Sequence, residues 1–236
     1  MITSASAEHC LSFIHTQLQP HGKPGETTAK QVHRAVTISR QTGCGAAAIA
    51  AKLAEYLQQH AAGENRPWTV FDRNLIDKVL EDHNLPHRLA KSLHEDRASQ
   101  LEEILADVFD VRPSVPTVIQ QATETMHRLA AQGNVIIVGW GSNVLMAKMP
   151  QVLHVRLVAS LAMRVEHVRQ AHKLTESEAH KFCVTEDRAR ERYFRKYLDA
   201  DINDPLLYHL IINTGWLGYE GAAKLIGDTV LNLPVE

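Results

Sequence analysis

The 236-residue sequence has little of several things, and each shortage closes off a class of protein. Its three cysteines, Cys10, Cys44 and Cys183, lie far apart with no CxxC spacing. That argues against a disulfide framework and fits a reducing compartment. No apolar run is long enough to cross a membrane. The first residues, MITSASAEHC, lack the basic start and apolar core of a secretory leader. The expectation is a cytoplasmic protein with no membrane partner. Charge of one sign is also missing: 25 Lys and Arg stand against 27 Asp and Glu, a net −2. A generic nucleic-acid binder carries a basic excess, so no nucleic-acid partner is expected. The fourteen histidines scatter. His83 and His87 have helical i,i+4 spacing, but Pro86 separates them and no third ligand stands near, so no metal held by protein ligands alone is expected.

What is present is an alternation of strand and helix signals. The apolar runs 35–39, 68–71, 134–139, 152–158 and 208–213 read as strands, and several are nearly continuous, as in parallel strands buried on both faces. Helical periodicity fills roughly 46–59, 73–82, 87–109, 117–132, 160–170, 175–198 and 219–231. Five strands joined by helical crossovers predict a parallel sheet covered on both sides, within one α/β domain. Ahead of it, residues 7–18 have an amphipathic pattern (Leu11, Phe13, Ile14, Leu18), and a Pro- and Gly-bearing linker follows. The division predicted is 1–30 as helix and linker and 31–236 as the main domain, with a helical insert at about 73–133.

The stretch VTISRQTGCGAAAIAAKLAEYL leads from the first strand through a Gly-rich turn into a helix. Such a turn aims backbone N–H groups and the positive end of the helix dipole at one point, where an anion is favoured. Gly43 and Gly45 permit positive φ and close approach. The side chains of a nucleotide-binding loop are absent, however. Laid on a G-x-G-K-x-T ending, Ala46 stands at the Lys position and Ala48 at the Ser/Thr position. Arg40 is the candidate substitute, since it lies in the loop and offers a fork of donors. A tight turn with no ligand is the competing reading.

Other candidates cluster at strand ends, where open α/β sheets bind ligands. Asp72 and Arg73 follow the second strand. Asp72 is placed to orient or deprotonate an acceptor, or to hold Mg²⁺ through water, and equally to cap the next helix. Gly139-Trp140-Gly141 follows the third strand, where Val138 and Gly139 stand in place of the acid of many phosphoryl-transfer enzymes. EDRARERYFRKY (186–197) brings Arg188, Arg192 and Arg195 to one helix face. Arginines there suit a phosphoryl clamp, whereas the interleaved Glu186, Asp187 and Glu191 suit a solvated, salt-bridged surface.

In order along the chain, TISRQTGCG, FDRNLIDKV, VIIVGWGSNVL, VLHVRLVASLAMRVEHV, LTESEAHKFCVTEDRARERY and DPLLYHLIINTGWLGYEGAAKLI resemble the cytidylate kinase-like family, over about residues 35–231. The resemblance implies a three-layer α/β/α P-loop kinase fold, a five-stranded parallel sheet of order 2-3-1-4-5, a helical insert, and an Arg-bearing lid at about 171–205. It implies transfer of the ATP γ-phosphoryl group to CMP or a related small acceptor, with Mg²⁺ accompanying ATP. Carried over, Ser39, Gln41, Thr42, Gly43, Cys44, Gly45, Ala46, Ala47 and Ala48 would hold the nucleotide. Arg40, Asp72, Arg188 and Arg192 would act in catalysis. Asp72, Arg73, Gly139, Trp140, Gly141 and Arg190 would face the acceptor. The chain departs from the family at Ala47, where many members carry Arg, and at Trp140, which replaces the Arg of a G-R-G turn.

Two other functions compete with a working kinase. One is a catalytically weak or silent nucleotide- or phosphate-binding module of the same fold. The other is an interaction scaffold that self-associates through the N-terminal helix.

Overall fold

The structure is a computed structural model, and it describes residues 34–61, 66–72 and 115–233. The first segment predicted as helix and linker lies outside the described residues, as do the helices at 73–82 and 87–109 and with them Arg73, His83 and His87.

The described elements are β1 (Ala35–Arg40), α1 (Ala46–His60), β2 (Thr69–Phe71), α2 (Val115–Gln132), β3 (Val135–Val138), the short α3 (Ser142–Leu145), β4 (Val152–Val158), α4 (Leu161–His172), α5 (Glu176–Tyr197), β5 (Leu210–Asn213) and α6 (Thr214–Leu231). All five strands pair in parallel in the order β2-β3-β1-β4-β5, as the family resemblance implied. In register, Ser39 stands beside Arg156 and Ile38 beside Val138 and Val155.

The period of two sends alternate side chains of β1 to opposite layers. Val36 and Ile38 join Ile49, Leu53 and Leu57 of α1 and Ala222, Ile226 and Val230 of α6 in one core. Ala35 joins Phe71, Val135 and Ile137 with Met126 and Leu129 of α2 in the other. Both faces are thus buried, which is why these strands read as nearly unbroken apolar runs. Fully burying one such aliphatic side chain stabilises the fold by about 1.5–3 kcal/mol.

The helix boundaries follow from caps. α5 opens on a capping box, with Thr175 accepting from the Glu178 N–H and Glu178 accepting from the Thr175 N–H. α6 starts at Thr214, five residues before the expected 219, because the Asn213 side chain caps the Gly215 N–H at 3.1 Å. Gly218, at φ 68° and ψ 175°, then interrupts the helix, so the expected segment is its second piece. Among the described residues, no helix is long and apolar enough to cross a membrane. The packing sets the carboxyl ends of β1, β2, β3 and β4 along one rim, with the α4–α5 pair above it.

Candidate phosphate-binding site

The rim is organised by the turn between β1 and α1. Gly43 and Gly45 have φ of 85° and 77°, and Gly45 is the N-cap of α1 with no side-chain cap and no acidic residue in the first turn. The backbone N–H groups of Gly43, Gly45, Ala46, Ala47 and Ala48 have no partner among the described residues. They open into a cavity of about 360 Å³ whose wall also carries Arg40, Asp72 and Arg190. Unpaired donors at a helix N-terminus beside two guanidinium groups are an arrangement suited chemically to an anion.

Helix α5 reaches this turn through Asp187. Its Oδ1 accepts from the Thr42 N–H at 2.7 Å and from the Thr42 hydroxyl at 2.8 Å. Its Oδ2 accepts from Arg164 Nη1 at 2.7 Å, and Arg190 Nη1 lies 3.2 Å from Oδ1 and 2.5 Å from Thr42 Oγ1. Arg164 also donates to the carbonyls of Thr42 and Ala159. One carboxylate therefore pins α4, α5 and the loop together. Burial, then the nearby Arg40 charge, pulls Arg190 down to about 10, so it still carries its proton at neutral pH. Cys44 is buried, and burial pushes its thiol up to about 11, an unreactive setting for a loop cysteine.

The far end of the cavity is lined by His167, His172 and Phe182. The His172 and Phe182 rings lie 5.5 Å apart. His167 Nδ1 is 2.8 Å from the Gly43 carbonyl and 3.1 Å from the Tyr219 hydroxyl; the first contact requires the proton on Nδ1.

Of the residues singled out in the sequence, Arg40, Gln41, Thr42, Gly43, Cys44, Gly45, Ala46, Ala47, Ala48, Asp72 and Arg190 meet in this one cavity. Asp72 lies 3.9 Å from Arg40. Ser39 does not line it: its hydroxyl turns to Arg156 Nη1 at 2.9 Å. The space above Gly139 is filled by the Arg40 guanidinium, with which any Cβ would collide, and that above Gly141 by Leu198. Trp140, at φ 61°, packs against the Phe71 and Met146 core, and its carbonyl lies 3.4 Å from the Tyr193 hydroxyl. A second cavity of about 270 Å³ shares Arg40, Gln41 and Arg190 and adds Arg156, Arg164 and Arg188. Arg192 is exposed and lines neither of the two.

The sequence reading missed Arg156, Arg164, Asp187 and His167. For Arg156 a signal existed, because an arginine in mid-strand within VLHVRLV is out of place unless buried for a purpose.

A profile of the cytidylate kinase-like family matches residues 35–215. The chain belongs to the cytidylate kinase-like family. Cytidylate kinase of Pyrococcus horikoshii is 27% identical over 164 residues, covering 67% of this chain and 82% of that one. A crystal structure of an uncharacterized protein from Eubacterium ventriosum superposes with a TM-score of 0.62 at 17% identity, over 84% of this chain and 98% of the other. Uronate isomerase of Corynebacterium glutamicum is 29% identical over 110 residues, and the chain spans about a fifth of its length, 21%. The family and the five-stranded parallel sheet make this chain a kinase-like module for a nucleotide or small molecule.

Proposed function

We propose that the protein is a phosphotransferase that moves the γ-phosphoryl group of ATP to CMP or a related small acceptor. The observation that carries this is the set of N–H groups of Gly43, Gly45, Ala46, Ala47 and Ala48, unpaired among the described residues, beside a cavity with Arg40 and Arg190 in its wall. Backbone donors would grip the donor phosphates. Arg40 and Arg190, both in the cavity wall, would carry the charge that a loop lysine supplies elsewhere, since phosphoryl transfer rests on positioning and charge stabilisation. Asp72, 3.9 Å from Arg40, would orient the acceptor or take its proton. In this reading α5 is the lid, Arg188 and Arg192 are its outer arginines, and residues 1–30 stand outside the catalytic domain.

The donor set bears on Mg²⁺. Among the described residues, Asp72 is the one carboxylate lining the loop cavity and no three His, Cys, Asp or Glu gather as a metal cage, while Ala48 offers no hydroxyl. Such a site fits an ion carried by the nucleotide, because Mg²⁺ commonly takes one or two carboxylates plus substrate phosphates. Asp72 would hold it, and the ion would neutralise phosphate charge.

A second reading has a specific observation behind it. Ala46 and Ala48 remove the loop lysine and hydroxyl, while Asp187 already occupies the Thr42 N–H. A binding module with little or no turnover follows from those features.

The test is a coupled assay with Mg-ATP over a panel of nucleoside monophosphates and small hydroxyl acceptors, run beside calorimetry with ATP. Turnover above buffer with CMP or another acceptor is expected. Binding heat without turnover selects the second reading, and absence of both sinks each of them.

A further inference from the structure

The second cavity holds a charge that the fold leaves unanswered. Five guanidinium groups line it (Arg40, Arg156, Arg164, Arg188 and Arg190) against the two carboxylates of Asp187 and Glu191. Asp187 is taken up by Arg164 and Arg190, and Arg40 lies toward Asp72. Arg156 is different. It sits in the middle of β4, 5% exposed, and its partners among the described residues are neutral: Ser39 Oγ at 2.9 Å, Asn203 Oδ1 at 3.1 Å, and the Tyr208 ring 5.5 Å from its central carbon. No carboxylate pairs with it among the described residues. A buried cation normally comes with a counter-charge, since taking it from water unpaired is costly. Two of its five N–H donors are engaged in those bonds, which leaves donors for a ligand.

We propose that this cavity is an oxyanion site, distinct from the phosphate loop, that takes a phosphate-type group with Arg156 as its buried counter-charge and Arg188 closing it from α5. Two further features agree. The guanidinium groups crowd one another, and the charges of Arg40 and Arg156 both pull Arg190 down. Arg188 is exposed on the lid helix yet lines the cavity, so a bound anion would tie α5 to β4. The competing role is a strut, in which Arg156 only links β1, β4 and the loop at Asn203.

The proposal stands whether or not the phosphate loop binds ATP, and crystals of the full chain soaked in tungstate separate the two. An anion between Arg156 and Arg188 is expected, present in wild type and lost in Arg156→Gln. An anion at Gly43–Ala48 reports on the loop alone. In solution, calorimetry with sodium phosphate reads the same site. Arg156→Gln should weaken that component at least about tenfold, as loss of a charge-assisted contact does, and Arg188→Gln by roughly threefold. A strut would instead lower the melting temperature equally with and without phosphate. Should Arg156→Gln fail to fold, the exposed Arg188→Gln carries the test. Competition assigns the source: CMP displacing phosphate while cytidine does not makes the anion the acceptor's own phosphate, and phosphate retained beside CMP makes it a free oxyanion. Either result keeps the site. An anion seen in crystals while both variants bind phosphate like wild type is an adventitious ion only, and overturns the proposal.

Discussion

The two cavities on either side of Arg40 and Arg190 are built in opposite ways. One wall of the loop cavity is backbone from one contiguous stretch, Gly43 to Ala48, with three alanines where side-chain chemistry would stand. Its neighbour is made of long cationic side chains brought from β1, β4, α4 and α5. A backbone site tolerates the loss of a lysine, because the donors that remain belong to peptide groups fixed by the turn. A side-chain site has no such reserve: each arginine is held by its own partners, and a single substitution removes a charge. The first should therefore fail through conformation and the second through charge.

The largest effect should come from breaking the turn. Gly45 has φ 77°, and any Cβ there would run into the Tyr219 ring. Gly45→Val is expected to cost about 1–2 kcal/mol for the left-handed backbone and about 1–3 kcal/mol more for overpacking. Because the N–H fan is reoriented, ATP binding should weaken at least tenfold, about 1.4 kcal/mol. Urea denaturation and calorimetry read the two losses separately. Full ATP affinity in a folded Gly45→Val protein would mean that the turn's geometry is not what grips the nucleotide.

This contrast also explains what the sequence disclosed. All five strands were legible, since each is an apolar run bounded by turn residues, and the loop was legible because its parts are neighbours in the chain. The arginine cavity was not. Arg156 and Ser39 are 117 positions apart and meet only through strand register. The helical face Arg188–Arg192–Arg195 drew attention by its spacing, but α5 turns Arg190 inward, with Asp187 beside it and Glu186 buried. Spacing identifies which residues share a face; it takes the packing of α5 on α4 to say which face is inside. The glycines of Gly139-Trp140-Gly141 illustrate the same limit. They looked like room for a ligand, and the room is filled by Arg40 and Leu198.

A smaller effect, with opposite signs for stability and binding, is expected at the seam between the cavities. Asp187→Asn keeps an oxygen for the Thr42 N–H but removes the charge that holds Arg164 and Arg190. Breaking a fully buried pair costs about 3–5 kcal/mol. The Asp187 side chain is 22% exposed, and solvent screening brings the expected cost below that range, to about 2 kcal/mol. The same change releases two guanidinium groups toward the cavities, so phosphate should bind more tightly. Denaturation in urea and phosphate calorimetry on one protein sample give both signs. Stability and phosphate affinity both unchanged would show that the carboxylate clamp holds nothing.

The smallest effect is expected at Lys52, and it sharpens the comparison more than its size suggests. Lys52 is a lysine in the helix that the phosphate loop opens, close enough in sequence to look like a displaced loop lysine. It sits beyond the first turn of α1, and its ammonium pairs instead with Glu220 on α6. The hydrogen bond to Glu220 raises its pKa, but the pair is open to solvent, where such bridges contribute little. Lys52→Ala should therefore leave both the melting temperature and ATP affinity where they were. A loss of ATP binding in this variant, with the fold intact, would mean that a side-chain cation does serve the loop after all. The distinction between a backbone-built and an arginine-built cavity would then give way to two sites of one kind.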